Sequence, residues 1–560
     1  MARVVRLVVA PLCLAVVLVA IVRGSGDSPV VKAVKAGDIG AVRKLIAARA
    51  DVNAASGDGS VPLLWAAYNS DVEMARVLIR AGAKVDAANN YGVTPLLQAS
   101  STGDAEMMDL LMKAGADPRR ADPQGETPLM AASRSGSLSA VRLLLDRGVD
   151  VNATDRVQSE TALMRATAEG HTDVVDALLK AGADPNRQAR ITSLTERKNA
   201  DHPTGGFTAL MWAARNGDEG IVRRLVQGGA DLNLKNGDGA SSAMIAIYND
   251  RFDMAVTLLD LGSDVNDGSL YTAVEMRDST TDQFAFDGSR LRPNHPNKLT
   301  ALDLIKLLLE RGADPNKVFV GQFHSTSMPN SDRFDNSPFF RAAVQSDVEA
   351  LKLLIAHGAD LEKTPVGPPP PPEGADPADA GGRGRGNPNA GKTAALATMN
   401  GGRGPQMTGG PGYIREGPAP YREPGSRKPA EALALLLQAG ANPNAKGLDG
   451  NTLLHQAVQL RNLDMIHALA DAHVKFDEPN KDGLTALDVA EGKKPAGATE
   501  RGGRGGGGGG GGRGRGGNTG ATPQEVAKLL RELMGLPPAP PAPAAPAADS
   551  TDAAPDGGVK

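Results

Sequence analysis

Residues 386–393 read GNPNAGKT and satisfy G-x-x-x-x-G-K-T, the phosphate-cradling loop of nucleotide-hydrolysing enzymes. Such a loop works because a buried strand leads in and a helix leads out, so that backbone N–H groups converge on a phosphate. Here the chain leading in is VGPPPPPEGADPADAGGRGRG, residues 366–386, which holds no strand pattern. GKTAALATMNGG, from Gly391, leads out and can open a helix, but no acidic strand end that would hold magnesium follows. Thr393 therefore reads as a helix cap and Lys392 as a solvated side chain. Nucleotide binding stays as an alternative that its surroundings argue against.

The other chemistry-bearing residues do not assemble into a reactive pattern. His171 lies in EGHTDVV and His455 in TLLHQA, and His467 and His473 flank a helix end. His202, His295, His324 and His357 are scattered, and no H-E-x-x-H spacing occurs. Serine is plentiful, yet no G-x-S-x-G elbow appears. Cys13 is the single cysteine, which excludes disulfides, thiolate metal sites and cysteine nucleophiles from the rest of the chain. No catalytic, cofactor-binding or metal-ligating residue is assigned. No cofactor or small-molecule ligand is expected.

Arginine–glycine runs supply Arg383, Arg385, Arg403, Arg501, Arg504, Arg513 and Arg515. They can track a phosphate backbone, which leaves polyanion or nucleic-acid binding as an alternative. Stacking aromatics are missing from the runs; Tyr413 and Tyr421 lie near only one. They read first as flexible spacers, and nucleic acid is not the expected partner. The net charge of −4 likewise points to no nucleic-acid partner.

The leader, residues 1–24, places Arg3 and Arg6 before an apolar run from Leu7 to Val22. This is an export signal, either cleaved or kept as an N-terminal membrane anchor. Both readings put the bulk of the chain outside the cytoplasm, and a periplasmic location in a bacterial envelope is expected.

The elements that would position any site come from repetition. RADVN at 49–53 returns as GAKVD at 82–86, GADPR at 115–119, GVDVN at 148–152 and GADPN at 182–186. Further copies stand at 229–233, 262–266, 312–316, 358–362 and 440–444. In phase with them run VTPLLQAS from Val93, ETPLMAAS from Glu126, ETALMRAT from Glu160, FTALMWAA from Phe207, NTLLHQAV from Asn451 and LTALDVAE from Leu484. In ETPLMAASRSGSLSAVRLLLDRGVDVN, Thr127 caps a helix and Pro128 takes its first position. Gly136 breaks that helix. Val141, Leu144 and Leu145 stripe a second one, and Gly148 closes it.

These strings resemble the ankyrin repeat, a unit of about 33 residues with two helices and a turn. The resemblance covers residues 29 to about 536. It implies an all-α ankyrin-repeat solenoid of about 11–12 helix-turn-helix units with short turn fingers. Repeats are expected over 29–362, a Pro/Gly/Arg-rich linker at 363–390, further repeats over 391–536 and a disordered Pro/Ala-rich tail at 537–560. Insertions are expected near 188–205, 278–299, 317–336, 403–427 and 492–521. Lengthening a loop from five residues to thirty costs only about 1.6 kcal/mol, which a stacked array absorbs.

The resemblance further implies a non-catalytic scaffold that meets an unidentified protein partner at the turn tips and the exposed ends of the first helices. By register those positions are Tyr68, Asn69, Asn90, Tyr91, Arg134, Arg215, Asn216, Tyr248 and Asn249. Asp58, Gln124, Asp238, Gln459 and Leu460 share the register. Tyr and Arg are enriched at interface hot spots. Trp65 and Trp212 lie one turn into their helices and read as partly buried packing.

Overall fold

The computed structural model describes residues 27–191, 205–237, 239–277, 297–319, 337–365, 391–399, 428–494 and 521–538. The leader, residues 386–390 of GNPNAGKT, the arginine–glycine runs, Asp238 and the tail beyond 538 lie outside them.

Among the described residues, 24 helices form successive pairs. Repeat 1 joins Pro29–Lys35 to Ile39–Ala47, repeat 2 joins Pro62–Tyr68 to Val72–Arg80, and repeat 3 joins Pro95–Thr102 to Ala105–Lys113. Repeat 4 joins Pro128–Ser135 to Leu138–Leu145, repeat 5 Ala162–Ala168 to Thr172–Lys180, and repeat 6 Ala209–Asn216 to Glu219–Gln227. Repeat 7 joins Ser242–Tyr248 to Phe252–Asp260, repeat 8 Ser269–Arg277 to Ala301–Glu310, and repeat 9 Pro338–Gln345 to Val348–Ala356. Repeat 10 joins Ala394–Thr398 to Pro429–Gln438, repeat 11 Leu453–Leu460 to Leu463–Asp471, and repeat 12 Ala486–Ala490 to Pro523–Leu533. Extended pairing among the described residues is limited to the isolated bridges Ile191–Gly205 and Lys446–Thr452.

Most helices start where the sequence supplies an acceptor; those after Val61, His171, Arg251 and Lys428 have no side-chain cap. Thr94, Thr127, Thr161 and Thr208 accept from the third backbone N–H of their first helices. Asp71, Asp104 and Asp218 do the same for second helices. Each such cap is worth about 1 kcal/mol. Gly136 ends the first helix of repeat 4 at φ 76°, in the left-handed region, as its position in the string predicts.

The core is built between repeats. Leu63, Leu96, Leu129, Leu163 and Leu210 are all buried beneath successive first helices. First helices stack on first helices from repeat 1 to repeat 8, and second helices stack from repeat 2 to repeat 8. No single pair can cover its own apolar face, so stability rests on the neighbour interfaces.

The chain divides into two compact units. The first holds repeats 1–8, and the division falls within the first helix of repeat 9, after Arg341. In the first unit, repeat 8 departs from the pattern. Its first helix begins at Ser269, directly after Asn266, Asp267 and Gly268, whereas in repeat 2 the chain between Asn53 and Pro62 forms a turn finger. A cavity of about 230 Å³ opens there, lined by Lys235, Asp267, Tyr271 and Phe319 among others. Burial pushes the Asp267 carboxyl up, against opposing hydrogen bonds from Ser241 and Ser269.

In the second unit, Thr393 caps the short helix Ala394–Thr398 by accepting from the Leu396 N–H at 3.5 Å. Lys392 is half-buried rather than solvated. Burial lowers its pKa, and Asp449 opposes the shift. The buried His455 ring sits 2.8 Å from Thr452 Oγ1 and 2.9 Å from the Leu484 carbonyl, which ties repeat 11 to repeat 12.

Candidate protein-interaction face

In a first helix, the side chains four and seven residues after the N-cap share one face, because a spacing of three returns nearly a full turn. In repeat 2 these are Trp65 and Tyr68, in repeat 6 Trp212 and Arg215, and in repeat 7 Ile245 and Tyr248. Repeat 4 supplies Arg134 at the later position and repeat 5 supplies Arg165 at the earlier one. Within the first unit this register makes three chemically distinct groups.

The first group is aromatic. Lys35 Nζ lies 3.9 Å from the Trp65 ring centroid, a cation–π contact. Trp65 meets Tyr68 edge to face at 5.6 Å. Tyr68 is 60% exposed, and Tyr91, on the next finger, is 68% exposed. Asn69 reaches back to the Val34 carbonyl at 3.4 Å. The Asn90 N–H donates to the Asp58 carbonyl at 2.9 Å, one of the bonds that stack finger on finger.

The second group is ionic. Arg165 Nη1 lies 2.6 Å from Glu126, Nη2 3.3 Å from Asp155 and Nε 3.7 Å from Glu160. Arg134 shares Glu126 at 2.9 Å. Burial pushes the Asp155 carboxyl up. The N–H groups of Gln158, Val157 and Glu160, together with Arg165, outweigh that and hold it below the ordinary value. Burial pushes Glu160 up, with Arg165 opposing and Asp155 reinforcing the rise.

The third group combines rings and cations. Phe207 packs on Trp212 at 5.1 Å, and Arg215 Cζ stands 5.3 Å from the Trp212 centroid. Asn216 donates to the Ala168 carbonyl at 2.8 Å and Asn249 to the Ile245 carbonyl at 2.8 Å. Arg215, Tyr248 and Asn249 are half-buried rather than fully exposed. Their neighbours cover part of each side chain.

A family model described as "Ankyrin repeats (3 copies)" matches residues 30–122, 104–189 and 191–269. Residues 30–269 are ankyrin repeats. A crystal structure of the human ASB11 ankyrin repeat domain is 26% identical over 42% of this chain and 99% of that one, with a TM-score of 0.35. Ankyrin repeats generally mediate protein–protein interaction.

Sequence register missed the partners on this ankyrin face. Lys35, Glu126, Asp155, Glu160, Arg165 and Phe207 complete the three groups. The signal was present: Glu126, Glu160 and Phe207 each immediately precede a cap threonine. Among the described residues no group of three or more His, Cys, Asp or Glu converges as a metal site, and no helix is long and apolar enough to cross a membrane. Lys392 is half-buried, with Asp449 the one charge that acts on it. Saturating magnesium–ATP is therefore predicted to leave the thermal midpoint of the full chain unchanged, with or without Lys392→Ala. A rise in the wild type that vanishes in the variant would establish a nucleotide site.

Proposed function

We propose that this chain is a non-catalytic protein-binding scaffold exported to the cell envelope. It engages a protein partner through the concave surface of repeats 2–7, formed by first helices and finger tips. The observation that carries the reading is the exposure of two rings, Tyr68 set edge to face on Trp65 and Tyr91 on the next finger, neither of them part of the core. Large exposed rings on a rigid scaffold lose little conformational entropy on docking. The basic start and apolar run of the leader support the export reading, with the repeats in the periplasm, free or anchored.

The test is affinity capture with cross-linking from the native envelope, using the chain from Ser25 onward beside its Tyr68→Ala/Tyr91→Ala form. The same partner should be captured by the wild type and depleted at least about tenfold by the variant, the loss of one or two hot spots. Equal capture by both forms would remove this face from the account. Far-ultraviolet circular dichroism should be the same for both, because neither ring is part of the core.

A further inference from the structure

Arg215 differs from the other guanidiniums on its face. In repeats 4 and 5 the residue before the cap threonine is an acid, Glu126 or Glu160, and Arg134 and Arg165 are paired through it. In repeat 6 that residue is Phe207, which packs its ring against Trp212. Arg215 then lies over the Trp212 ring with no carboxylate among the described residues near it. Burial alone holds its pKa below the ordinary guanidinium value. The Trp212 indole N–H is also buried without an acceptor. Arg251 adds a second cation to this end of repeat 6. Its guanidinium would lie 3.0 Å from a Cβ placed on Gly217, and its Nε has no acceptor.

A half-buried cation without a counter-ion is costly, and so is a buried N–H without an acceptor. The first cost falls when an acidic group arrives at Arg215. Stacking on an aromatic face fixes the plane of a guanidinium and leaves its edge N–H groups free for a bidentate carboxylate. We propose that Arg215, laid on Trp212, is the receptor for an aspartate or glutamate side chain of the docked protein, making that partner segment acidic. This inference rests on the reading of the first-helix face as the docking surface.

The test selects a random-peptide display library on the immobilised full chain. Recovered peptides are then made with amidated ends, so that only side chains carry carboxylate. Peptides blocked by the Tyr68→Ala/Tyr91→Ala form should share an acidic position. Replacing that acid with its amide, or Arg215 with Met, should each weaken binding at least about tenfold, and the two together no more than either alone. Arg215→Met loses the contact with the Trp212 ring, about 1 kcal/mol, but no ion pair, so it should remain folded at the assay temperature and weakened binding is not a folding defect. Tyrosine-dependent peptides that lack an acid, or that ignore Arg215→Met, would overturn this inference and leave the proposed function standing. Peptides indifferent to every one of these substitutions would overturn both.

Discussion

Replacing Arg165 with Met is expected to lower the unfolding free energy by about 3 kcal/mol, the cost of stranding buried charge partners. Arg165 is 15% exposed and Asp155 is 4% exposed, so the acids left behind cannot recover full hydration. Arg134→Met removes a neighbouring guanidinium that is 45% exposed, and should cost less than about 1 kcal/mol. Denaturant titration of both variants checks the contrast. A similar small effect at both sites would show that the network is solvated.

The same network predicts an opposed pH dependence. Asp155 is held below its ordinary value of 3.8. Its contribution is present above that value and is lost as pH falls through the lower folded value. Glu160 is raised above 4.5, so its contribution is present below 4.5 and is lost as pH rises through the higher folded value. Glu160→Gln should therefore stabilise the neutral-pH protein, by less than about 1 kcal/mol. The gain should vanish below pH 4.5. A variant less stable than the wild type at neutral pH would mean that Arg165 outweighs burial at Glu160.

Gly92→Ala carries the second large effect, about 3 kcal/mol, from two sources that a control separates. Gly92 sits at φ 82°, and a Cβ there would fall 2.1 Å from Pro123 Cδ on the next finger. Gly82 has a similar φ of 87° with nothing within 4 Å of its Cβ position. Gly82→Ala should cost only the conformational part, about 1 kcal/mol. Equal midpoints for the two variants in thermal unfolding would show that the fingers part freely. The predicted difference would show that finger stacking is rigid, the property a docking surface on finger tips requires.

The helices were legible in the sequence because their signals are local. Thr127, Pro128 and Gly136 lie within one helix of each other, and their roles need only backbone geometry. The helix pairing followed from the strings because each unit repeats the same small-residue and leucine pattern. The face was legible only as a register. Position alone marked Tyr68 and Tyr91 correctly as exposed, yet it also marked Tyr248 and Arg215, which are half-buried. The Arg165 network was illegible from any one unit, since Glu126 lies 39 residues away and reaches it only when repeat 4 stacks on repeat 5. The missing finger of repeat 8 was readable in the three residues after Val265. It was obscured because the insertion that follows makes the unit longer than its neighbours, so the lost finger does not show as a shorter spacing.

The most direct measurement places a photo-reactive phenylalanine analogue at Tyr68, at Tyr91 and at Lys113, and irradiates the native envelope. Lys113 is exposed on the second helix of repeat 3, away from the first-helix positions. Cross-links to one and the same protein from Tyr68 and Tyr91, with none from Lys113, are the predicted result. Cross-links to a protein from Lys113 alone would place docking on the outer helices and contradict the assignment of the first-helix face.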